Sequence, residues 1–205
     1  MPCASPGQML AVRPRQSGFS LVELMLAIGI LGVLFALGMP MLTTAIDSFR
    51  IAGDGRTIAN AVAVAKMRAA ATFTRARLFV DLSGGSYRVQ RWTGSAWVDD
   101  GTVAYLANRD TFGYGTVTTP PPSTQASISQ APLCKDSANA DIANTACILF
   151  NSRGIPTDTT NAPLSGATGL YVSNGPTVYG VTISLTGLSR IWRTNNAATP
   201  NWVQQ

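Results

Sequence analysis

The stretch "RPRQSGFSLVELMLAIGILGVLFALGMPML", from Arg13 to Leu42, decides how the chain begins to fold. Its last part, Leu24–Leu42, runs for 19 residues without a charged side chain. A helix of that length spans about 28 Å, close to the ~30 Å thickness of the hydrocarbon core of a bilayer. The stretch therefore predicts a helix that can cross a membrane, with the acidic Glu23 next to its start.

The residues before the apolar run argue against an ordinary secretory signal peptide. Such a peptide has a shorter apolar region and a cleavage site of small residues after it, whereas here the polar "RQSG" comes first. Arg13 and Arg15 place this leader on the cytoplasmic side by the positive-inside rule. The chain after the helix is therefore expected to be exported.

Glu23 needs an explanation, because a carboxylate gains nothing from lipid. Near a helix end it can reach the membrane interface. Its free-energy cost there is below the roughly 2.5–3.5 kcal/mol that an acid costs at mid-membrane. The alternative is that Glu23 has a charged partner. Cleavage after Gly18 would give Phe19 a new α-amine about one helical turn from Glu23. The pair could then form within one chain or between neighbouring chains.

The segment "GFSLVELMLAIGILGVLFALGMP" resembles the class III signal of type IV pilins and pseudopilins. In that family a prepilin peptidase cuts after the glycine and methylates the new N-terminal phenylalanine. The resemblance implies cleavage between Gly18 and Phe19, N-methylation of Phe19 and a role for Glu23 in assembly. An incoming subunit would pair its terminal amine with Glu23 of a neighbour, and a buried ion pair of this kind sets register.

Two further features of this segment bear on the resemblance. Pro40 falls where members of the family often carry a helix-breaking proline, and it removes a backbone hydrogen bond. The implied leader, residues 1–18, is longer than is usual in the family. Met9 offers an internal start that would shorten the leader.

Composition limits the classes of function that remain. The chain has 205 residues, and about 150 of them remain after a membrane segment and its extension of roughly 50 residues, which suits one globular domain. Charged residues make up 12%, against roughly 25% in a typical domain, and the net charge of +5 falls to +3 without the two leader arginines. Histidine is absent and Glu23 is the only glutamate. We therefore expect no enzyme, no catalytic residues, no cofactor and no metal site.

The three cysteines predict one disulfide. Cys3 lies in the implied leader, which leaves Cys134 and Cys147 as an even pair in the mature chain. An oxidising compartment would join them, and the alternative is two buried free thiols.

The sequence after the apolar run predicts a second helical part and then a β domain. We expect a transmembrane or filament-core helix at 19–42, an amphipathic extension at 43–75 and a globular domain at 76–205. "AGDG" at 52–55 is expected to bend or fray the helix. The apolar positions that recur at helical spacing are Ile51, Ile58, Val62, Ala65 and Ala69.

Alternating patterns predict the strands of the β domain. "ARLFVDL" (76–82) and "SYRVQRW" (86–92) are joined by Gly84-Gly85 and predict a hairpin. A segment rich in Pro, Ser, Thr, Asn and Ala, residues 107–145, predicts a long surface loop. The other predicted strands are "AWVDDG", "ACILF" (146–150), "GLYVS" (169–173), "TVYGVTISLT" (177–186) and "LSRIWRT" (188–194).

The second half resembles the globular domain of GspH/FimT-type minor pilins, more loosely than the first half resembles the pilin signal. The similar segments are "IANAVAVAKMRAAATFTRARLFVDL", "CILFNSRGIP" and "VYGVTISLTGLSRIWR". The fold class implied is α+β, with a long N-terminal helix packed on an antiparallel β-sheet domain.

The resemblance implies a minor structural subunit that primes or caps a type IV filament, in pilus biogenesis or in type II secretion. Its partners would be the prepilin peptidase, other pilin or pseudopilin subunits and the bacterial inner membrane. It would cross that membrane once, with a periplasmic C-terminal domain. An alternative is a DNA-uptake or adhesive pilin that contacts DNA through Arg190 and Arg193, which flank Trp192. The plainest alternative is an anchored exported protein that does not assemble.

Overall fold

The computed structural model describes Gly18 and residues 20–205. Among these residues one helix, α1, runs from Leu21 to Thr72. The chain falls into two compact units that divide after Thr43, and each unit is described by itself below.

The helix continues through "AGDG" at 52–55, where it does not fray, and through Pro40. The kink expected at Pro40 stays a prediction. A proline removes one backbone donor but leaves the i to i−4 bonds on either side, and a long apolar helix can continue across the gap. The glycines cost roughly 1 kcal/mol each, which the packing of the neighbouring Ile51 and Ile58 offsets.

The strands follow α1 in the second unit. In chain order they are β1 Ala76–Asp81, β2 Ser86–Trp92, β3 Trp97–Asp99, β4 Ala104–Tyr105, β5 Thr111–Phe112, β6 Cys134–Lys135, β7 Asp141–Ile142, β8 Thr145–Phe150, β9 Pro156–Thr157, β10 Thr168–Ser173, β11 Thr177–Ile183, β12 Ser189–Asn195 and β13 Val203–Gln204.

These strands form two main sheets and a small ribbon. The first sheet has the order β3-β2-β1-β8-β9, with β4 paired to β2. The second has the order β13-β12-β11-β10-β5, and β6 pairs with β7 separately. The pairings are antiparallel. The predicted α+β class with antiparallel sheets is therefore confirmed.

The core lies between the second part of α1 and both sheets. The predicted apolar face of the helix is confirmed, since Ile51, Ile58, Val62, Ala65 and Ala69 are 0–2% exposed. Full burial of one large aliphatic side chain stabilises the fold by roughly 1.5–3 kcal/mol. The strand residues that share this core include Leu78, Val80, Ile148, Phe150, Leu170, Val172, Val181 and Ile183.

The predicted hairpin of β1 and β2 is confirmed, and Asp81 lies opposite Ser86. The carboxylate of Asp81 accepts hydrogen bonds from the backbone N–H groups of Ser83 and Gly84 at 3.1 and 2.8 Å. These hydrogen bonds hold the pKa of Asp81 below its usual value. Gly85 adopts a φ of 60°, which costs glycine nothing and explains why this turn closes here.

The segment 107–145 is more ordered than a surface loop. It contributes β5, β6 and β7, and it buries Val117, Ala131 and Cys134 at 0–5% exposure. Val117 packs with Tyr171 and Val178 of the second sheet. The prediction of a long surface loop was wrong on this point, because composition reports polarity but not the few apolar residues that anchor a polar segment.

Candidate functional site

The start of α1 places one acid in its first turn. The backbone N–H of Leu24 donates to the carbonyl of Ser20 at 3.1 Å, which closes the first turn around Glu23. Unpaired N–H groups give a helix N-terminus a partial positive charge, so an acid is favoured in this turn. Glu23 is exposed to solvent in the single chain and is therefore available to a group from outside it.

The predicted processing site begins at Gly18, and Phe19 lies outside the described residues. Gly18 is exposed, and a Cβ built on it would meet no described atom within 4 Å beyond its chain neighbours. Packing in the described part of the chain does not require glycine here.

The first unit presents apolar side chains that are exposed among the described residues. The large apolar side chains described between Leu21 and Leu42 are 52–80% exposed. By length and composition, α1 contains a segment that could cross a membrane. A Cβ on Gly29, Gly32 or Gly38 would meet nothing within 4 Å, so space for a close neighbour exists at these positions. An apolar surface of this size requires a lipid or protein partner.

The structure joins Cys134 of β6 to Cys147 of β8 in a disulfide, the pair that the sequence predicts. Their Cα atoms lie 5.0 Å apart, inside the usual range for a disulfide. Both cysteines are buried, at 0% and 4% exposure. The backbone N–H of Cys147 also donates to the carbonyl of Pro132 at 2.8 Å. The bond therefore ties the segment that precedes β6 to the central strand β8.

Arg190 and Arg193 are exposed on β12, but the structure does not bring them together on one face. The side chains of a strand alternate, so residues three apart point to opposite sides of the sheet. Trp192 between them is 7% exposed, and its indole N–H donates to the hydroxyl of Thr182 at 2.9 Å. The tryptophan is thus a packed residue of the sheet.

A cluster of arginine and tryptophan side chains on the first sheet was missed at the level of sequence. Arg75 lies 4.6 Å from the ring centre of Trp92, and Arg77 lies 4.0 Å from that of Trp97. A signal was present: Arg75, Arg77 and Phe79 alternate on one strand, and "WTGSAW" brings the two tryptophans into register. It became visible only once β1, β2 and β3 were paired.

A pair of aspartates was also missed, because 56 positions separate its members. Asp54 on α1 and Asp110 just before β5 are each 9% exposed. One oxygen of Asp54 accepts the backbone N–H of Ala107 at 2.8 Å. Burial, with a hydrogen bond between the two carboxyl groups, raises the pKa of Asp110 to about 7. Asp110 therefore holds its proton more tightly than a free aspartate does, where the segment after β4 meets the helix.

Comparison with known proteins places these features in context. Residues 13–39 match the family described as "Prokaryotic N-terminal methylation motif". The chain is 32% identical over 101 residues to the "Type IV narrow pilus major component PilA5" of Thermus thermophilus, and the match covers 48% of this chain and 85% of that protein. No solved structure matches the chain significantly.

Proposed function

This chain belongs to the type IV pilin family, and on that premise we propose that it is a minor subunit of a type IV filament machine. Its task is to prime or cap a filament in pilus biogenesis or in type II secretion. It acts by assembly and not by catalysis, which agrees with the structural character of the family.

The exposed apolar helix carries the proposal. Within the described part of the chain the large apolar side chains between Leu21 and Leu42 are exposed, and Glu23 is the only charged residue in that stretch of sequence. In the membrane, lipid covers this surface before assembly, and in a filament the helices of neighbouring subunits replace the lipid. The same surface is thus an anchor first and an interface afterwards.

Processing supplies the partner for Glu23. A prepilin peptidase cuts between Gly18 and Phe19 and methylates the new terminal amine of Phe19. That amine is a cation, and Glu23 of a neighbour is the acid that it meets in the apolar core of the filament. An unpaired acid in that core would be costly, so the ion pair selects the correct register.

The disulfide supports export of the second unit across the inner membrane. Cys134 and Cys147 pair in a buried position, and structural disulfides form in oxidising compartments such as the periplasm. Arg13 and Arg15 of the leader would stay in the cytoplasm. The proposed topology is therefore a single pass with the second unit on the periplasmic side.

Two observations support a minor over a major role. The 101 matched residues make up 85% of the Thermus major subunit but only 48% of this chain, so about half of this chain has no counterpart there. The β domain also resembles that of GspH/FimT-type minor subunits in sequence. A larger domain fits a subunit that occupies a special position better than one that repeats throughout a filament.

DNA contact through Arg190 and Arg193 is not part of the proposal. Phosphate binding grows with the number of cations that act together, and the two arginines lie on opposite faces of β12.

Sheared filaments and membrane fractions from one culture test the role. A tag on the exposed C-terminal Gln205 allows the chain to be quantified against the major subunit of the same cells. We expect it in both fractions at a small fraction of the amount of the major subunit, with fewer filaments or less secretion in a deletion strain. A chain that forms the bulk of the filament would refute the minor role, and its absence from every filament fraction would refute assembly.

A further inference from the structure

The outer face of the first sheet carries a cleft that the proposed assembly role does not use. Its volume is about 160 Å³, and its lining includes Arg75, Arg77, Trp92, Trp97 and Ser137. One wall is formed by strands β1, β2 and β3, and the other by the turn of the β6–β7 ribbon. The Cys134–Cys147 disulfide fixes the position of that ribbon through β8.

The arginines give the cleft a positive charge that its own groups do not neutralise. Arg77 is 4% exposed; its Nε donates to Gln90 at 2.8 Å and another guanidinium nitrogen donates to the carbonyl of Lys135 at 2.6 Å. Both acceptors are neutral. Arg75 makes no ion pair and no side-chain hydrogen bond within the described residues, and its recorded partners are the two indole rings.

Burial of Arg77 is costly for its charge. Desolvation, followed by repulsion from Arg88, lowers the pKa of Arg77 to about 10, although Asp99 acts in the opposite sense. A buried cation with neutral acceptors is stabilised when an anion enters its neighbourhood. The cleft also contains Lys135 and Asp136, but Lys135 is paired with Asp141 at 2.9 Å. Three cations and one carboxylate therefore line the cleft.

The turn of the ribbon and the segment after β9 offer hydrogen-bonding groups of both kinds. Within the described part of the chain, the side chains of Ser137, Asn139 and Thr159 make no hydrogen bond. Two hydroxyls and an amide supply both donors and acceptors. Leu149 contributes an apolar floor beside the disulfide. A ligand that fits must combine a negative group, an apolar face and several hydroxyl groups.

We propose that this cleft binds an acidic sugar, such as a uronic acid unit of a polysaccharide. Arg75 receives the carboxylate, and the exposed parts of Trp92 and Trp97 cover the C–H face of the ring. Ser137 and Asn139 bond the hydroxyl groups. The site would give a filament subunit a binding activity for anionic polysaccharide in addition to its assembly role.

The charge pattern favours an acidic sugar over a nucleic acid. A nucleic acid needs a track of several cations, because its affinity grows with the number of phosphates neutralised. Here the neighbouring Arg88 and Lys135 are each paired with an aspartate, and Arg75 and Arg77 already cover one face of each indole. Inorganic phosphate alone would make no use of the tryptophans or of the hydroxyl groups.

Calorimetric titration of the full chain in detergent micelles tests the site. The probe is the methyl glycoside of glucuronic acid, and the matched neutral probe is methyl glucoside, which differs only in the carboxylate. We expect the glucuronide to bind at least about tenfold more tightly than the glucoside, because its carboxylate can form a charge-assisted bidentate contact with an arginine. Equal affinities, or no heat from either sugar, would overturn the proposal.

Paired variants locate the binding. Arg75→Gln should weaken glucuronide binding about tenfold, whereas Arg91→Gln removes the same charge nearby on β2, outside the cleft lining, and should leave it unchanged. Ser137→Ala changes an exposed hydroxyl and provides a second variant that leaves the fold intact. It should weaken both sugars equally, by a few-fold. The assignment would be overturned if Arg75→Gln and Ser137→Ala bound the glucuronide with the same affinity. Tighter binding of phosphate or of a single-stranded oligonucleotide than of the glucuronide would also overturn it.

Discussion

At the residue scale, Glu23 and its charge decide whether the apolar helix is only an anchor. We expect Glu23→Ala to leave membrane insertion intact and to reduce filament incorporation at least tenfold, because loss of one partner from a buried ion pair costs about 3–5 kcal/mol. Glu23→Gln keeps the size and should behave like alanine, whereas Glu23→Asp keeps the charge and should be partly active. The measurement is the ratio of this chain in sheared filaments to that in membranes. Normal incorporation of Glu23→Gln would show that the charge has no partner.

Asp110 makes the stability of the second unit depend on pH. In the folded state the Asp110 carboxyl group keeps its proton up to about pH 7. In the unfolded chain an aspartate loses its proton near pH 4, so the folded state binds more protons between these two pH values. Stability should therefore fall as pH rises through this window, by an amount on the order of a few kcal/mol. The groups that face Asp110 are Asp54 and Asp47, which raise its pKa, and Arg50, which lowers it.

Asp110→Asn should remove most of this dependence, because an amide can bond Asp54 without ionising. The measurement is the urea midpoint of the full chain in detergent at pH 5 and pH 8. The variant should gain stability over the wild type mainly at pH 8. Asp141→Asn, at an exposed aspartate paired with Lys135, is the control and should follow the wild type. A wild-type midpoint that does not fall between the two pH values would contradict the assignment.

At the element scale, the disulfide fixes the ribbon β6–β7 against β8. The cysteines are 13 positions apart and enclose 12 residues (13 − 1), for which loop closure predicts about 3 kcal/mol. Cys134→Ala/Cys147→Ala should lower the free energy of unfolding by roughly that amount, and reduction of the wild type should have a similar effect. Chemical denaturation of the full chain in detergent measures both. A loss below about 1 kcal/mol would mean that the ribbon is held by other contacts.

The elements that the sequence predicts are those whose signals are local. The hairpin of β1 and β2 follows from alternation and from Gly84-Gly85, and the apolar face of α1 follows from the spacing of Ile51, Ile58 and Val62. The two-residue strands and the burial of Val117 were not predictable. They depend on which distant surface the segment meets, and their own patterns are too short to carry a period.

At the scale of the whole molecule, the two halves of the chain differ in how far sequence reasoning reaches. The assembly segment could be identified because Gly18, Phe19 and Glu23 lie within a single run of residues. The cleft and the Asp54–Asp110 pair could not, because each joins residues from separate elements whose packing must be known first. Within the described residues, α1 presents Glu23 to the outside.

Intact-mass measurement of the chain from membrane fractions tests the central claim most directly. The claim is that the chain is a pilin precursor that is cut after Gly18 and methylated on the new terminal amine of Phe19. The account predicts one mature species that begins at Phe19, carries one added methyl group and lacks two hydrogens through the Cys134–Cys147 disulfide. In cells without prepilin peptidase the uncut chain should accumulate instead. A mature chain that retains Gly18, or one that begins at another residue in both strains, would contradict the account.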